Sequence, residues 1–346
     1  MGAMSHGDDQ LDLFAPAGAP AEARTRRGSG VEPVAPRPEA LALAEALPRE
    51  VHLGTSSWSF PGWEGIVYAG RHSPERLARD GLRAYARHPL LRMVGVDRGY
   101  YAPIPVDELT AYAAAVGPGF RFLVKAHEVL TTAVFPRHAR YGARRGRPSE
   151  EFLDPEYARA AVVEPIVQGL GAAAGPILFQ FAPQDVASVG GPRNLADRLH
   201  RFLDALPRGP LYAVEVRNAE ILTPEYAAAL RSVGACHCIN VYPGMPAPLL
   251  QRQRALTDLG PALVVRWMLH PRLTYEQAFA LFQPFDRLVE EDLASRRAIA
   301  QLCAESAAAR RPAFVIVNNK AEGSSPRTVE RLAEAIVQRA ASARPS

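Results

Sequence analysis

Eight short apolar or β-branched runs, each ending in polar or charged residues, constrain the fold of this chain more than any other feature. Most of them are followed by a loop and then a helical pattern, which is typical of parallel strands joined by crossover helices. Eight such units in about 270 residues favour a closed (β/α)8 barrel. The runs are Val51–Trp58, Met93–Tyr101, Phe120–His127, Pro176–Ala182, Leu211–Asn218, Ala235–Tyr242, Ala262–His270 and Ala313–Lys320.

We therefore expect a single α/β domain, a TIM-barrel-like (β/α)8 fold over residues 51–344, preceded by a disordered N-terminal tail. Residues 1–50 are rich in Ala, Pro, Gly and Glu, and they hold no sustained apolar period before Leu41–Leu47. A barrel of roughly 250 residues uses most of the chain. An amphipathic helix over Pro326–Arg344 is predicted to pack against the barrel and close the domain.

Composition excludes some locations and favours others. Hydrophobic residues make up 48% of the 346 positions, which is ample for a large core. No apolar run approaches the roughly 20 residues that span a membrane. The N-terminus lacks the pattern of a secretory signal, so we expect a cytoplasmic protein without a membrane partner. The three cysteines are an odd number, and Cys236 and Cys238 stand on one strand face, too close for an ordinary disulfide.

Only two lysines, Lys125 and Lys320, stand among the 40 basic residues. Both fall at predicted strand ends, where a compact ammonium with a shiftable pKa differs chemically from a guanidinium. The net charge of +4 favours an anionic partner only weakly. Ionisable or amide groups close four of the runs: Lys125 and His127, Glu215 and Arg217, Arg266 and His270, and Asn318 with Asn319 and Lys320.

The tail contains an apolar island, Gln10-Leu11-Asp12-Leu13-Phe14. Such a segment can dock into a hydrophobic groove on a partner. It resembles at all five positions the short motif by which bacterial replication and repair proteins attach to the sliding clamp, so Gln10, Leu11, Leu13 and Phe14 are candidate partner-binding residues. The alternative is an incidental apolar patch, or part of a helix that folds back on the barrel.

The connection between the third and fourth runs, from Glu128 to Gly175, is too long for an ordinary loop. A helical stretch is predicted from Asp154 to Leu170. Five guanidinium groups precede it, beside Tyr141, and they can track phosphates. The alternative is a solvated loop whose arginines pair with carboxylates at the barrel rim. These arginines are Arg137, Arg140, Arg144, Arg145 and Arg147.

Several motifs stand at or near the predicted strand ends. They are Gly54-Thr55-Ser56-Ser57-Trp58-Ser59-Phe60 with Trp63, Gly65 and Tyr68, Phe120-x-Phe122-x-Val124-Lys125-Ala126, Leu178-Phe179-Gln180-Phe181-x-Pro183, Ala213-Val214-Glu215-Val216-Arg217, and Asn318-Asn319-Lys320-Ala321-Glu322-Gly323. Together, and in the right order from about Val51 to Ile336, they resemble the DUF72 (YecE-like) family. The resemblance implies a TIM-barrel-like fold and leaves function open, because that family is largely uncharacterised.

The second run departs from that family's pattern. Many members have Val-Glu-Ile-Asn-x-x-Phe-Tyr-Arg-x-Pro, whereas this chain reads Val94-Gly95-Val96-Asp97-Arg98-Gly99-Tyr100-Tyr101. The usual glutamate and arginine are missing. Asp97 or Arg98 is expected to substitute, in a subgroup with an altered substrate preference.

Glu215 and Lys125 are the candidate catalytic residues. If both point into the barrel mouth, cations lower the pKa of the glutamate while burial raises it, which is how general bases are tuned. The alternative is an ion pair that only closes the upper barrel layer. The candidate substrate-binding residues are Arg217, Arg266, Asn318, Asn319, Lys320, His127, Trp58, Asp97, Tyr101 and Gln180.

Loops after the last two strands of such barrels often bind phosphate, and Asn318, Asn319 and Lys320 offer two amides and an ammonium there. The alternative is a turn capped by asparagine side chains. No cofactor is predicted. A divalent metal is the alternative if His127, His270, Glu215, Asp97 and Glu322 converge, although the nearby cations oppose it. Cys236-His237-Cys238 is interpreted as a buried, inert trio.

The leading hypothesis is a barrel enzyme, a hydrolase or lyase, that acts on a phosphate-bearing substrate by phosphodiester hydrolysis or proton transfer. Its partner is then an anionic small molecule or a nucleic acid. The first alternative is a non-catalytic DNA-maintenance accessory that the tail tethers to the sliding clamp. The second alternative is a carbohydrate-processing barrel in which Trp58, Trp63, Tyr100 and Tyr101 line a sugar platform. The substrate, the reaction and the oligomeric state do not follow from these residues.

Overall fold

Eight parallel strands close into a barrel in sequence order in the computed structural model, which describes residues 30–255 and 260–342. This confirms the predicted (β/α)8 fold. Each strand lies within its predicted run, except that the fourth begins two residues earlier. The strands are β1 (Val51–Thr55), β2 (Met93–Val96), β3 (Arg121–Lys125), β4 (Ala174–Phe181), β5 (Tyr212–Val216), β6 (Cys236–Val241), β7 (Leu263–Trp267) and β8 (Ala313–Val317).

Helices cover the outside of the barrel, and several begin where the sequence supplies a capping side chain. Thr223 accepts a hydrogen bond from the Tyr226 backbone, and Thr274 with Gln277 forms a capping box. The helices are α1 (Pro38–Ala46), α2 (Pro74–Asp80), α3 (Leu82–Tyr85), α4 (Val106–Ala115), α5 (Pro155–Ala158), α6 (Glu164–Leu170), α7 (Gly191–Ala205), α8 (Pro224–Val233), α9 (Pro248–Ala255), α10 (Tyr275–Phe282), α11 (Leu293–Ala308) and α12 (Ser325–Ser342).

The predicted disordered tail is too long at its C-terminal end. Residues 30–50 are folded: α1 packs against α12, and Val31, Ala44 and Leu47 are buried in the core. The physical reason is that the short apolar period ending at Leu47 has an apolar partner surface on α12, so burial offsets the entropy of ordering the segment. The motif Gln10–Phe14 lies outside the described residues.

Two apolar layers result from the alternation of side chains along the strands. The larger layer lies between the strands and the helices. The smaller one fills the barrel interior and includes Met93, Leu123, Leu178 and Val264. The next inward positions toward the C-terminal ends of these strands belong to Asp97, Lys125, Gln180 and Arg266, beyond the interior layer. The alternation therefore fixes which polar side chains enter the mouth.

β1 and β2 share only a short stretch of backbone pairing, and a tyrosine hydroxyl bridges the two strands there. Only Gly54 with Met93 and Thr55 with Val94 are in register there, whereas β1 pairs with β8 along its whole length. The Tyr85 hydroxyl of α3 donates to the Met93 carbonyl at 2.9 Å and accepts the Thr55 amide at 3.0 Å. A Cβ atom at Gly54 would lie 1.9 Å from the Met93 oxygen, so only glycine permits this approach.

The long connection between β3 and β4 is helical over most of its second half. Asp154 caps α5, a π turn (Arg159–Val163) follows, and α6 continues to Leu170. Pro165 has no amide hydrogen to donate, which accounts for the interrupted ladder. In α12 the predicted apolar stripe is buried, from Val329 to Ile336. Within the described chain, no helix is both long and apolar enough to cross a membrane.

Candidate functional site

Charged and amide side chains from five strand ends converge inside the mouth of the barrel. They are buried, and they form one connected set of ion pairs and hydrogen bonds. The mouth cluster, as it is called below, consists of Asp97, Lys125, Gln180, Glu215, Arg217 and Arg266. All six were predicted site residues. Side chains from the ends of five strands, predicted from the sequence as site residues, therefore meet in one place in the structure.

Glu215 is the centre of the mouth cluster and is 0% exposed. Its Oε1 accepts a hydrogen bond from Arg217 Nε at 3.0 Å, and its Oε2 accepts one from Arg266 Nη1 at 2.5 Å. Burial alone raises the pKa of this carboxyl, but Arg266, Arg217 and Lys125 outweigh burial and lower the pKa to about 2. Glu215 is therefore a firmly ionised anchor for two guanidinium groups and a weak base.

Gln180 supports the same two arginines. Its Oε1 accepts from Arg266 Nη1 at 2.7 Å and from Arg217 Nη2 at 3.2 Å. Gln180 and Glu215 are directly paired across β4 and β5, so the parallel register brings their side chains together. Arg217 also stacks on Tyr242, with its guanidinium carbon 4.2 Å from the ring centroid. These contacts leave the arginines little freedom to reorient.

Asp97 connects the other cations to the mouth cluster. Its Oδ1 lies 3.3 Å from Lys125 Nζ and 3.6 Å from Arg266 Nη2. Burial lowers the pKa of Lys125 to about 8, although the Asp97 charge acts in the opposite direction. Of the two residues expected to substitute at strand two, Asp97 is the one that joins the mouth cluster. Arg98 does not, because it turns outward and pairs with Glu108 of α4.

Positive charge exceeds negative charge in the mouth cluster. Lys125, Arg217 and Arg266 supply three cations against the two carboxylates of Asp97 and Glu215. Arg266 is 0% exposed, and its Nε and Nη2 have no hydrogen-bond acceptor within the described part of the chain. Buried donors without acceptors and an excess of buried positive charge both cost free energy, and an anion is the kind of group that would offset both.

Lys320 lies just beyond β8, apart from the hydrogen bonds of the mouth cluster. Its Nζ is 4.3 Å from the Tyr275 ring centroid and 5.9 Å from those of Phe279 and Phe285. Burial lowers the pKa of Lys320 to about 8, while the charge of Asp97 raises it. Lys125 and Lys320 therefore each carry an ammonium group that loses its proton more easily than an exposed lysine does.

The two asparagines after β8 stabilise the turn that carries Lys320. Asn318 Nδ2 donates to Ser56 Oγ at 2.9 Å, and Asn318 Oδ1 accepts from the Lys320 amide at 3.0 Å. Asn319 Oδ1 accepts from Trp63 Nε1 at 3.2 Å and from the Ser325 amide at 2.8 Å. These bonds match the capped-turn alternative, and they fix where the Lys320 backbone lies.

Other predicted residues lie away from the mouth cluster. His127 Nδ1 is 2.6 Å from the Tyr157 hydroxyl of α5, and burial lowers its pKa. Trp58 is packed between α2 and α4, where its Nε1 donates to the Ala78 carbonyl at 3.2 Å. Tyr101 contacts the Arg140 guanidinium, 5.9 Å from its ring centroid. His270 is buried at the end of β7, and its Nε2 is 3.9 Å from Glu290.

The four aromatic residues of the carbohydrate alternative do not form one platform. Trp58 and Trp63 are buried against the helices, and Trp63 is 0% exposed. Tyr100 lies instead beside Lys125, whose Nζ is 5.0 Å from the ring centroid. The tryptophans follow β1 outward and pack in the helical layer, whereas Tyr100 faces the mouth cluster.

The residues of the metal alternative are held by different partners. Both carboxylate oxygens of Glu322 accept a hydrogen bond from Arg296 of α11 at 2.7 Å, so this carboxylate is paired outside the mouth cluster. Across residues 30–255 and 260–342, no three His, Cys, Asp or Glu side chains are grouped as metal ligands. Cys236 and Cys238 are buried free thiols, and burial raises the pKa of both.

Sequence reasoning missed the aromatic partners of the cations. Tyr242 stands directly after β6, so the same rule of strand ends that found Arg217 could have found it. Tyr275, Phe279 and Phe285 come from α10 and the residues after it, and nothing in their spacing indicates contact with Lys320.

This geometry defines a class of protein: a closed (β/α)8 barrel with a buried, cation-rich cluster at the C-terminal ends of its strands. The family model described as protein of unknown function DUF72 matches residues 52–346. The chain therefore belongs to the DUF72 family, as the motifs in its sequence indicated.

Solved structures of the same family share the fold. A DUF72 family protein from Enterococcus faecalis V583 aligns with a TM-score of 0.54 and 17% identity, covering 83% of this chain and 95% of that one. Another, from Thermotoga maritima MSB8, aligns with a TM-score of 0.50 and 19% identity, covering 82% and 98%. No curated protein matches the sequence.

Proposed function

We propose that this protein is an enzyme that binds a phosphate-bearing substrate at the barrel mouth and acts on it by proton transfer. The observation that carries the proposal is the charge imbalance of the mouth cluster, in which three buried cations face two carboxylates. A phosphate supplies the missing negative charge and the acceptors for guanidinium donors. Lys320 adds a further cation beside the cluster.

Arg217 is the cation best placed to meet the phosphate. It is the most exposed of the three, at 8%, while Lys125 is 3% and Arg266 is 0% exposed. Glu215, Gln180 and Tyr242 hold its guanidinium, so it is preorganised for bidentate binding. Arg266 is buried more deeply, where it pairs with Glu215 and Asp97 and so helps to hold these two carboxylates in place.

Lys125 is the proposed proton-transfer group. A general base works best when its pKa lies near the working pH, and the pKa of Lys125 is lowered to about 8 by burial. The Asp97 carboxylate at 3.3 Å orients the amine. Glu215, which was the first choice from the sequence, becomes the residue that positions the arginines, because a carboxylate with a pKa of about 2 accepts a proton poorly.

Phosphate binding is tested by thermal unfolding in inorganic phosphate against chloride at matched ionic strength. Wild type should gain about 1.4 kcal/mol for each tenfold rise in phosphate above its dissociation constant. Arg217→Gln should lose most of this gain. Arg331→Gln, which removes an exposed guanidinium on α12 that pairs with Glu334, is the matched control. Equal gains in all three proteins would overturn the proposal.

Proton transfer is tested by proton NMR in D2O with a panel of sugar phosphates and nucleotides. Exchange of a carbon-bound hydrogen in one of these compounds, lost in Lys125→Met, is the expected result. Exchange that persists in that variant would remove Lys125 from the mechanism.

The β3–β4 connection favours a second candidate, a protein that binds nucleic acid without turnover. Arg137, Arg144, Arg145 and Arg147 are exposed there, while Arg140 is held by Glu128 at 2.6 Å. Arg144 stacks over Phe135 at 4.7 Å, so guanidinium groups and rings are interleaved along this loop. In this role the tail motif Gln10–Phe14 would attach the protein to a sliding clamp.

A further inference from the structure

Lys320 has the surroundings of a reactive amine. Within the residues that the structure describes, its Nζ makes no hydrogen bond and no ion pair, and its neighbours are the rings of Tyr275, Phe279 and Phe285. The residue is 4% exposed. Ring faces stabilise an ammonium by only about 0.5–2 kcal/mol, which does not offset its desolvation.

Lys125 provides the contrast within the same molecule. Its ammonium is also buried, but Asp97 pairs with it at 3.3 Å. The Asp97 carboxylate holds the Lys125 nitrogen in one position, which suits proton transfer. Among the described residues no carboxylate pairs with Lys320, so its amine can turn toward a carbonyl carbon once the proton leaves. Desolvation in an apolar pocket is one of the established ways to activate a lysine as a nucleophile.

Burial and one nearby charge act in opposite directions on the pKa of Lys320. Asp97 is the charge that raises its pKa, and burial outweighs it, so the pKa falls to about 8. Near neutral pH roughly a tenth of such an amine is unprotonated, against less than a thousandth of an ordinary lysine. The turn built by Asn318 and Asn319 fixes the backbone from which the amine projects.

We propose that Lys320 is a nucleophilic amine that forms an imine with an aldehyde or ketone group of the substrate. The amine chemistry stands on the Lys320 pocket, and the phosphate on that same substrate rests on the proposed function. The substrate class is therefore a phosphorylated aldehyde or ketone.

The step balances without an oxidant or reductant. The Lys320 ammonium first gives its proton to solvent, and the neutral amine adds to the carbonyl carbon to give a carbinolamine. A proton from solvent then joins the carbinolamine hydroxyl, which leaves as water while the nitrogen lone pair forms the C=N bond of a protonated imine. The net change converts ammonium and carbonyl to iminium and water. The cationic nitrogen withdraws electrons from the adjacent carbon and acidifies its C–H bond, whose proton Lys125 is proposed to accept.

Reductive trapping tests the proposal cleanly, because the chain has only two lysines. The probes are glycolaldehyde phosphate and glycolaldehyde, each with sodium cyanoborohydride, and the adduct is located by peptide mass spectrometry. At pH 7, Lys320 should be labelled on the order of 10- to 100-fold faster than free acetyl-lysine. Lys320→Met should lose this adduct, and the control variant Arg331→Gln, which removes an exposed guanidinium on α12, should keep it.

The two probes separate this inference from the proposed function. Fast labelling of Lys320 by both aldehydes at equal rates would support the imine and count against the phosphate site. Stabilisation by inorganic phosphate with no adduct on Lys320, in protein with a native circular dichroism spectrum, would overturn the imine and leave the phosphate site standing. Labelling of Lys125 or the terminal amine as fast as Lys320 would also overturn the imine.

Discussion

Glu215 and Arg266 form an ion pair inside the barrel although their strands, β5 and β7, are separated by β6. Both side chains are 0% exposed, and Arg217 holds the other carboxylate oxygen. The pair therefore spans the barrel interior and connects strands that share no backbone hydrogen bonds. Its loss affects the fold as well as the charge of the mouth.

Glu215→Gln should lower the free energy of unfolding by about 3–5 kcal/mol, because Arg217 and Arg266 both lose the buried carboxylate that accepts their hydrogen bonds. Urea denaturation followed by circular dichroism measures the change. Glu334→Gln, which breaks an exposed pair with Arg331, is the matched control and should cost no more than about 1 kcal/mol. Similar losses in both variants would mean that the buried network contributes little.

Asp97→Asn should lower the pKa of both lysines, with the larger effect on Lys125. The Asp97 charge raises both pKa values, and its carboxylate is paired with Lys125 at 3.3 Å. Reductive methylation with carbon-13 formaldehyde gives each lysine its own NMR signal, whose shift is followed against pH. Asp286→Asn, at an exposed pair with Arg287, should move neither signal. Unchanged lysine titrations in Asp97→Asn would contradict the ion pair.

Lys320→Met should stabilise the protein at pH 7 and lose this advantage as the pH rises. The folded pKa is about 8 and the unfolded value is 10.5, so between these values the unfolded state binds more protons and wild-type stability rises with pH. Below pH 8 the folded state bears the full cost of the buried charge, on the order of 3 kcal/mol. Urea denaturation at pH 7 and pH 10.5 measures the difference between variant and wild type. Equal differences at the two pH values would contradict the shifted pKa.

The triple variant Arg144→Gln, Arg145→Gln and Arg147→Gln should weaken binding to single-stranded DNA and flatten its salt dependence. Each lost phosphate contact reduces the slope of log K against log salt by about 0.7. Fluorescence anisotropy at several salt concentrations measures the slope. The variant Arg201→Gln, Arg331→Gln and Arg339→Gln removes the same charge from exposed positions on outer helices. Equal losses in the two triple variants would indicate an effect of net charge alone.

Leu13→Ala with Phe14→Ala should abolish capture of the protein by an immobilised bacterial sliding clamp, since these are the apolar positions of the tail motif. Asp12→Ala changes the same segment and keeps its apolar side chains, so it should be captured. Capture of the double variant at the wild-type level would remove the clamp from the list of partners.

The strand ends were predictable from sequence because a parallel barrel leaves few choices. Eight apolar runs fix the strands, and alternation then decides that Lys125, Gln180, Glu215 and Arg266 enter the mouth. The prediction was wrong for residues 30–50, where helix α1 depends on a surface of α12 far away in the sequence. The sequence also could not show whether burial or the neighbouring cations dominate the pKa of Glu215. That balance depends on the distances to Arg217, at the end of β5, and to Arg266, on β7.

Residues beyond the strands were harder to place. His127 was a candidate substrate-binding residue, but strand alternation ends with β3 and the histidine turns toward Tyr157. Trp58 and Asn319 were also candidate substrate-binding residues, but their side chains hydrogen-bond to backbone groups, the Ala78 carbonyl and the Ser325 amide. The pocket of Lys320 is made by α10, whose position depends on tertiary packing and has no signal in the local pattern.

The Tyr85 hydroxyl bridge marks a place where the barrel wall can open locally. Where β1 meets β2, the Tyr85 phenolic oxygen bridges a junction with only two residue pairs in register, and Asp97 follows β2 immediately beyond it. Local opening of the wall at this junction therefore breaks few backbone bonds, and amide hydrogens along β2 should exchange sooner than those of β4, which pairs with β5 at five positions. Asp97, which aligns Lys125, thus follows a strand whose wall opens more readily than the wall between β4 and β5.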